Sequence, residues 1–269
     1  MRSHRRRACR LLTSTVRAWT AALILSASSA LSWSGCAWLH ARPRQQLAGT
    51  LQELLPHADR DHFVYIAQRP SGGATTLQVE HITALDERGT FEVTMSENGT
   101  ETGRLRARDD GNRILLLEED DLVRDLRLSY DPPLPYLEAP LFTGESRTTS
   151  TARVSRLSDG QVAGSVRVTQ QMSVGAAGGI RTVLGTYPQP IVVRIARTLQ
   201  GPDGDIEVDT TMFLVPGIGE VRSVGGPAGA PALQRELACA LIGSRAIGDC
   251  HQLNVQTPDA NHAGSADDQ

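Results

Sequence analysis

Apolar and polar residues alternate along most of the chain after about residue 60. In TFEVTMS, the apolar residues Phe91, Val93 and Met95 all fall on one face, and VAGSVRVTQQMSV repeats the alternation. A period of two is typical of a strand with one buried face. Asn-Gly and Asp-Gly pairs separate the runs and favour tight hairpin turns. The pattern predicts a mainly β fold, with about a dozen short strands in a curved antiparallel sheet or half-barrel meander.

Two segments follow helical rather than strand preferences. RQQLAGTLQELL places Leu47, Leu51 and Leu54 on one side at helical spacing, which predicts a short N-terminal helix. PALQRELACALIG, residues 231–243, contains good helix formers but also alternates Leu233, Leu237 and other apolar residues on one face. We expect a strand there, with a helix as the alternative.

The first predicted hairpin offers a choice of register. A two-residue Asn-Gly loop would place Val93 opposite Arg104, which mixes apolar and charged side chains on one face. A three-residue loop over 97–99, with Gly99 in a bulge, pairs Phe91 with Leu105 and keeps a row of arginines on the solvent side. We therefore predict the bulged loop.

The first 35 residues have the composition of an export signal. They contain six of the 27 basic residues and no acidic residue, followed by the uncharged run AWTAALILSASSALSWSG. A basic segment, an apolar stretch and small residues before a cleavage site are the parts of a signal peptide. Four serines before Ser34 make the run a poor membrane span.

Ser34-Gly35-Cys36 resembles the end of a bacterial lipobox, in which the cysteine is acylated and becomes the first residue of the mature chain. The family's usual leucine three residues before the cysteine is Trp33 here. The resemblance implies lipidation at Cys36 and stable attachment to a membrane by two or more acyl chains. Ala37 after the cysteine implies, by the same resemblance, an outer-membrane position facing the periplasm. Ordinary cleavage after Ala30, leaving Cys36 as a thiol, is the alternative.

Export would also determine the state of the remaining cysteines. Cys9 leaves with the signal, so Cys239 and Cys250 remain together in an oxidising compartment. A disulfide between them is expected, and two unpaired thiols are the alternative. Two cysteines eleven residues apart lack the paired spacing of a zinc site.

Charge and composition exclude several classes of function. From Cys36 onward, 21 arginines stand against 30 acidic residues, a formal net charge of −9. Nucleic-acid binding requires a basic face and is therefore excluded. The chain contains no lysine, which removes Walker-type phosphate loops, Schiff-base chemistry and Ser-Lys dyads.

Two segments in the second half resemble the closing part of the TapB-like domain, a family of uncharacterised bacterial envelope proteins. They are TVLGTYPQPIVVRIARTL and DTTMFLVPGIGEVRSVGG. The matching residues are Thr182, Gly185, Thr186, Tyr187, Phe213, Pro216, Gly217, Ile218, Gly219, Val221 and Arg222. The resemblance spans about residues 54–243, although only the closing hairpin is specific. It implies kinship with LolA/LolB-like half-barrels, whose concave face holds a lipid chain.

The hairpin in this motif also has its own physical explanation. Pro216 sets φ for the second position of a turn, Gly217 supplies the positive φ of a type II turn, and Gly219 permits a bulge. GIGEVR begins like a dinucleotide-binding loop, but Arg222 occupies the position of the third glycine. A structural turn is the better interpretation.

Searches for catalytic and metal-binding motifs find none, and no cofactor is predicted. HADRDH clusters His57, Asp59, Asp61 and His62 ahead of the first long strand, where a polar turn is preferred to a metal site. The acidic run EEDD, residues 118–121, is interpreted as a solvated turn between two apolar stretches.

The predicted organisation has four parts. Residues 1–35 form a lipoprotein signal, 36–53 a tether with a short helix, 54–243 the β domain and 244–269 a polar tail. The leading hypothesis is a lipid-anchored envelope protein that binds an apolar or amphiphilic ligand, or an envelope partner, without catalysis. A structural or protein-interaction module is the alternative, and a hydrolase with scattered residues is the weakest reading of the sequence.

Overall fold

Antiparallel strands make up most of the structure, a computed structural model that describes residues 44–68, 75–202 and 204–250. These ranges contain seventeen strands and one short helix, α1 (Leu51–Leu54). The strands in the first half are β1 (Gln46–Ala48), β2 (His62–Gln68), β3 (Thr76–Ala84), β4 (Thr90–Glu97), β5 (Thr100–Asp109), β6 (Arg113–Asp121), β7 (Leu126–Glu138) and β8 (Leu141–Phe142). Those in the second half are β9 (Gly144–Arg156), β10 (Val162–Ala176), β11 (Ile180–Thr182), β12 (Gly185–Tyr187), β13 (Ile191–Gly201), β14 (Gly204–Val215), β15 (Gly219–Pro227), β16 (Leu233–Ile242) and β17 (Arg245–Ile247).

Twelve of the strands form a closed, barrel-like ring. Their order is β15–β14–β13–β10–β9–β7–β6–β5–β4–β3–β2–β16, and an additional pairing of β15 with β16 joins the two ends. The short strand β17 pairs with the end of β16, while β1–β8 and β11–β12 form separate two-stranded pairs. The predicted mainly β, antiparallel fold of about a dozen strands is confirmed. The sheet closes on itself, whereas the sequence predicted an open half-barrel.

Residues 233–242 form strand β16 rather than a helix, which confirms the expectation for this segment. Two neighbouring strands decide the outcome, because β16 pairs with β2 and β15 and its backbone groups are satisfied across the sheet. Helix-forming side chains are therefore overridden by long-range pairing.

The apolar core lies inside the ring in two clusters. The larger one is closed by Leu51 and Leu54 of α1 and contains mostly alternate residues of β2, β4, β13 and β14. The smaller one consists of Leu116, Tyr130, Leu134, Ala152 and Val168. Both clusters follow the period-two pattern of the sequence.

Helix α1 is held by its own caps and by the closing hairpin. Thr50 and Glu53 form a capping box, with Thr50 Oγ1 accepting from Glu53 N–H at 3.2 Å. The Glu53 carbonyl accepts from Gly217 N–H at 2.6 Å, which ties the helix to the turn between β14 and β15. The predicted short N-terminal helix is present, as a single turn.

The first hairpin differs from the predicted three-residue loop. Asn98 and Gly99 both have positive φ, +49° and +83°, and Glu97 pairs directly with Thr100, so the loop has two residues. The extra residue is accommodated two positions further on, where Met95 pairs with Gly103 and Ser96 with Glu101. This bulge places Val93 opposite Leu105, which restores the apolar face that the turn alone would have broken.

The run EEDD is also not a turn. It ends strand β6, whose register with β5 shifts between Arg106 and Ala107. Asp120 bonds to Arg127 at 2.7 Å on one face, while Glu119 bonds to Arg197 on the other. Acidic residues are stable in this strand because arginines of other strands form ion pairs with them.

Regular structure extends past both predicted limits of the β domain. Strand β1 and most of α1 precede residue 54, and β17 follows residue 243. The predicted signal, Cys36 and the end of the C-terminal tail lie outside the described residues.

Candidate binding site inside the sheet

A half-buried arginine, Arg235, organises the first polar cluster inside the ring. Leu233, Arg235 and Leu237 are spaced two residues apart on β16. Arg235 therefore lies on the same inward face as the two leucines. Arg235 Nε donates to Glu220 Oε1 at 2.8 Å and Nη2 donates to Oε2 at 3.1 Å. The same Nε lies 3.0 Å from Ser223 Oγ, and Nη1 donates to Glu80 of β3.

An aromatic ring covers the same guanidinium. Arg235 Cζ lies 4.4 Å from the centroid of the Tyr65 ring, a cation–π contact. Burial raises the pKa of Tyr65 well above its usual value, and the negative charges of Glu80 and Glu220 add to this rise. Burial alone would lower the pKa of Arg235, but the same two carboxylates raise it well above normal. Tyr65 therefore stays protonated and Arg235 stays charged.

A bulge in β15 brings Glu220 into the cluster. Leu214 pairs with Glu220 and Phe213 with Arg222, which leaves Val221 as the extra residue. A regular strand would turn Glu220 away from the face that holds Ser223, whereas here Glu220 is only 4% exposed. Positive φ at Gly219, +95°, begins the bulged strand.

A second arginine cluster lies on β13, three strands from β16 around the ring. Arg197 Nη1 of β13 donates to Glu119 Oε1 at 2.6 Å, and its Nε donates to Gln170 Oε1 at 2.7 Å. The Gln170 amide in turn donates to the carbonyl of Pro135 at 2.5 Å. Arg197 Cζ lies 6.0 Å from the Tyr136 ring. Burial, together with nearby Glu220, raises the pKa of Tyr136 to about 12.

The charged side chains of both clusters retain some contact with solvent. Arg235 is 22% and Glu80 16% accessible, while Arg197 is 15% and Glu119 30% accessible. Leu105 and Leu128 pair with Glu119 on either side, and Leu199 lies two residues from Arg197 on the same face of β13. All three also pack against the smaller apolar cluster. The larger core cluster, by contrast, is closed to solvent, with Val193 and Leu237 at 0%. The apolar core is thus shielded from solvent, whereas the charged groups of the arginine clusters remain partly accessible.

The predicted structural turn contacts α1 three residues before Glu220, and Cys239 lies four residues after Arg235 on β16. Pro216 and Gly217 occupy the two central positions of a turn closed by Ile218 N–H and Val215 O at 2.9 Å, with φ of +77° at Gly217. Cys239 and Cys250 are joined by a disulfide, with Cα atoms 5.4 Å apart.

The HADRDH residues have separate structural contacts. His57 Nε2 lies 2.9 Å from Asp109 Oδ2, and Asp59 accepts from Ala84 N–H at 3.1 Å. Asp61 is fully buried and accepts from the N–H groups of Ala58 and Gly243. Within the ranges that the structure covers, no three His, Cys, Asp or Glu side chains form a metal-binding group.

The sequence did not single out Arg197, Arg235, Glu80 or Glu220 as site residues. One signal was available, because Arg235 interrupts an apolar face, LQRELA, at an inward position. A charged residue on a buried face requires a partner, but nothing local names Glu80, which is 155 residues away.

Comparisons with known proteins give only distant similarities. No family model matches the chain, and no curated protein matches it either, so the resemblance to the TapB-like domain stays a prediction. Over the described residues, no helix is long and apolar enough to cross a membrane.

Two solved structures are similar in part. One is a protein described as exported, with a YmcC-like fold, from Bacteroides fragilis; it is 16% identical, with a TM-score of 0.44 over 72% of this chain and 98% of that one. The other is described as a lipoprotein from Parabacteroides distasonis, 14% identical, with a TM-score of 0.40 over 68% of this chain and 95% of that one. Similarities at this level assign neither a family nor an activity.

Proposed function

We propose that the chain is an exported envelope protein, anchored by lipid at Cys36, whose closed sheet binds an apolar or amphiphilic molecule without catalysis. The observation that carries the proposal is the pair of arginine clusters inside the ring, which remain partly accessible beside apolar walls. A site with apolar walls and a few fixed polar groups is typical of small-molecule binding. The export signal and Cys36 support the envelope location.

The arrangement supports binding rather than acid–base chemistry. Glu80, Glu119 and Glu220 are each hydrogen-bonded to an arginine, and the adjoining tyrosines have raised pKa values. A general base would require a carboxylate or imidazole free to accept a proton from a substrate. Three carboxylates against two guanidiniums also favour a neutral or cationic head group over an anionic one.

Native mass spectrometry of the full chain, extracted from membranes in mild detergent, tests the binding proposal. We expect a noncovalent adduct of lipid mass that dissociates on activation. Leu199→Glu introduces a charge into the apolar wall and should abolish the adduct, because an unpaired charge in an apolar site is costly. Val183→Glu, at a position 59% exposed, is the matched control and should retain it.

A wild-type protein free of any adduct would contradict the binding proposal. The anchor is tested separately, by labelling cells with a palmitate analogue. We expect label in the wild type and none in Cys36→Ala, and equal labelling of the two would refute lipidation at that residue.

A further inference from the structure

Two histidines face each other across neighbouring strands, on the outer side of the ring. His62 of β2 pairs directly with His81 of β3. Phe63 and Ile82, the next residue after each of them, belong to the larger core cluster. Because side chains alternate between the two faces of a strand, His62 and His81 lie on the face away from that core. The centroids of the two imidazole rings are 6.1 Å apart.

Most of the ring nitrogens of this pair have no hydrogen-bond partner. Both nitrogens of His62 and Nδ1 of His81 are buried and unpartnered, and His62 as a whole is only 4% exposed. Buried polar atoms are nearly always hydrogen-bonded, because an unmade bond leaves the loss of hydration uncompensated. Three such atoms on two facing rings therefore indicate a bound group that supplies the missing partner.

His57 provides a comparison, as a histidine with a structural role. Its Nδ1 lies 2.7 Å from the carbonyl oxygen of Leu55, and its Nε2 lies 2.9 Å from Asp109 Oδ2. Both of its nitrogens already have partners within the protein. Unpartnered nitrogens are therefore a feature of the His62–His81 pair and not of every histidine in the described residues.

The spacing of the two rings fits a shared metal ion. A neutral imidazole carries one nitrogen lone pair, and histidine binds metals through that nitrogen. With metal–nitrogen distances of about 2.0–2.1 Å, two imidazoles on one ion have ring centroids roughly 5–6 Å apart. Imidazole ligands suit zinc, copper, nickel and iron, and Cu²⁺ is the divalent ion that nitrogen sites bind most tightly.

The pair would hold the ion without a third ligating side chain from the described part of the chain, where no three His, Cys, Asp or Glu residues form a group. Within the sheet, Leu241 lies opposite His62 and Thr94 lies opposite His81. Two protein ligands leave coordination positions for water or a second molecule, unlike the four ligands of a closed structural site. His81 is only partly buried, so the pair is not sealed from solvent.

We propose that His62 and His81 bind one divalent transition-metal ion, Cu²⁺ more tightly than Zn²⁺, on the outer face of β2 and β3. The arginine clusters lie on the inward face of the sheet, so the metal site is independent of the proposed ligand. It is equally independent of the lipid anchor.

Titration calorimetry of the full chain in mild detergent, stripped of metal with a chelator, measures the binding of Cu²⁺ at neutral pH. His81→Gln should weaken one binding event by more than about tenfold, because one of its two protein ligands is lost. His57→Gln is the matched control and should leave that event unchanged, since both His57 nitrogens already have partners. Histidines outside the described residues are the same in every variant, so their contribution cancels in the comparison.

Electron paramagnetic resonance of the protein with one equivalent of Cu²⁺ identifies the ligand atoms. We expect coupling to imidazole nitrogens in the wild type and in His57→Gln, and fewer coupled nitrogens in His81→Gln. Equal Cu²⁺ affinity in the wild type and His81→Gln, or identical spectra for the two, would overturn the proposal. Binding of Zn²⁺ as tight as that of Cu²⁺ would overturn it as well.

Thermal unfolding keeps the test valid if a substitution lowers stability. An ion that binds only the folded protein raises the thermal midpoint. Zn²⁺ should therefore raise the midpoint of the wild type and His57→Gln but not that of His81→Gln, with far-UV circular dichroism confirming that each protein is folded at the start. An equal rise in all three proteins would overturn the proposal.

Discussion

Individual charges inside the ring are stable because each has a partner supplied by another strand. Arg235 lies on an otherwise apolar face of β16, and its guanidinium is hydrogen-bonded to Glu220 and Glu80. Removing one member of such a pair leaves the other charge buried without compensation, which costs more free energy than the pair itself contributes. These residues therefore affect both the free energy of unfolding and the kind of ligand that the ring could bind.

Arg235→Met is expected to lower the free energy of unfolding by about 3 kcal/mol, because Glu220 and Glu80 would lose their cation. Urea denaturation followed by circular dichroism measures the change. The matched control is Arg194→Met, which breaks the exposed pair with Asp209 and should cost at most about 1 kcal/mol. Equal losses in the two variants would contradict the role assigned to the buried cluster.

A buried histidine on β2 makes the stability of the folded protein depend on pH. His62 is 4% exposed, and neither ring nitrogen has a hydrogen-bond partner. Burial, followed by the neighbouring His81, lowers the pKa of His62. The unfolded chain then binds more protons than the folded one once the pH falls below about 6.5, so stability falls with decreasing pH.

Urea midpoints measured between pH 7 and 5.5 test this sign. The wild type should lose stability across the interval, and His62→Phe should lose less, since it removes the group that gains a proton on unfolding. An unchanged slope in His62→Phe would show that other groups control this range.

At the scale of elements, bulges decide which residues of a strand face inward. The extra residue in β5 restores the apolar pairing of Val93 with Leu105, and the one in β15 turns Glu220 toward Arg235. Each bulge changes the facing of every residue beyond it, because side chains alternate with a period of two. Turn residues determine where each hairpin reverses direction, whereas bulges determine which side chains of its strands face the core.

The glycine that begins β15 gives a prediction at this scale. Gly219 has φ of +95°, and a Cβ there would lie 2.9 Å from Pro56 Cδ. Gly219→Ala should therefore cost about 2 kcal/mol, from backbone strain and contact combined. Gly164→Ala is the matched control, since an added Cβ has no atom within 4 Å and φ lies outside the left-handed region. Its thermal midpoint should stay close to that of the wild type.

At the scale of the whole molecule, closure by β15 and β16 creates an inside and an outside. The inside combines a buried apolar core with two arginine clusters whose charged groups are partly accessible to solvent. Closure also gives most strand edges in the described residues a partner strand. The proposed anchor at Cys36 lies only eight residues before Arg44, where the described chain begins.

The sequence by itself determined the class of the fold and many of its turns. Period-two alternation predicted antiparallel strands, and Asn98-Gly99 and Pro216-Gly217 occupy the turns between them, because local backbone preferences act over a few residues. Tertiary structure alone decided the ring closure, the placement of EEDD in a strand and the partners of Arg235. Those features depend on register between distant strands, as in the contact from Glu80 to Arg235 across 155 residues, and no short stretch of sequence contains that information.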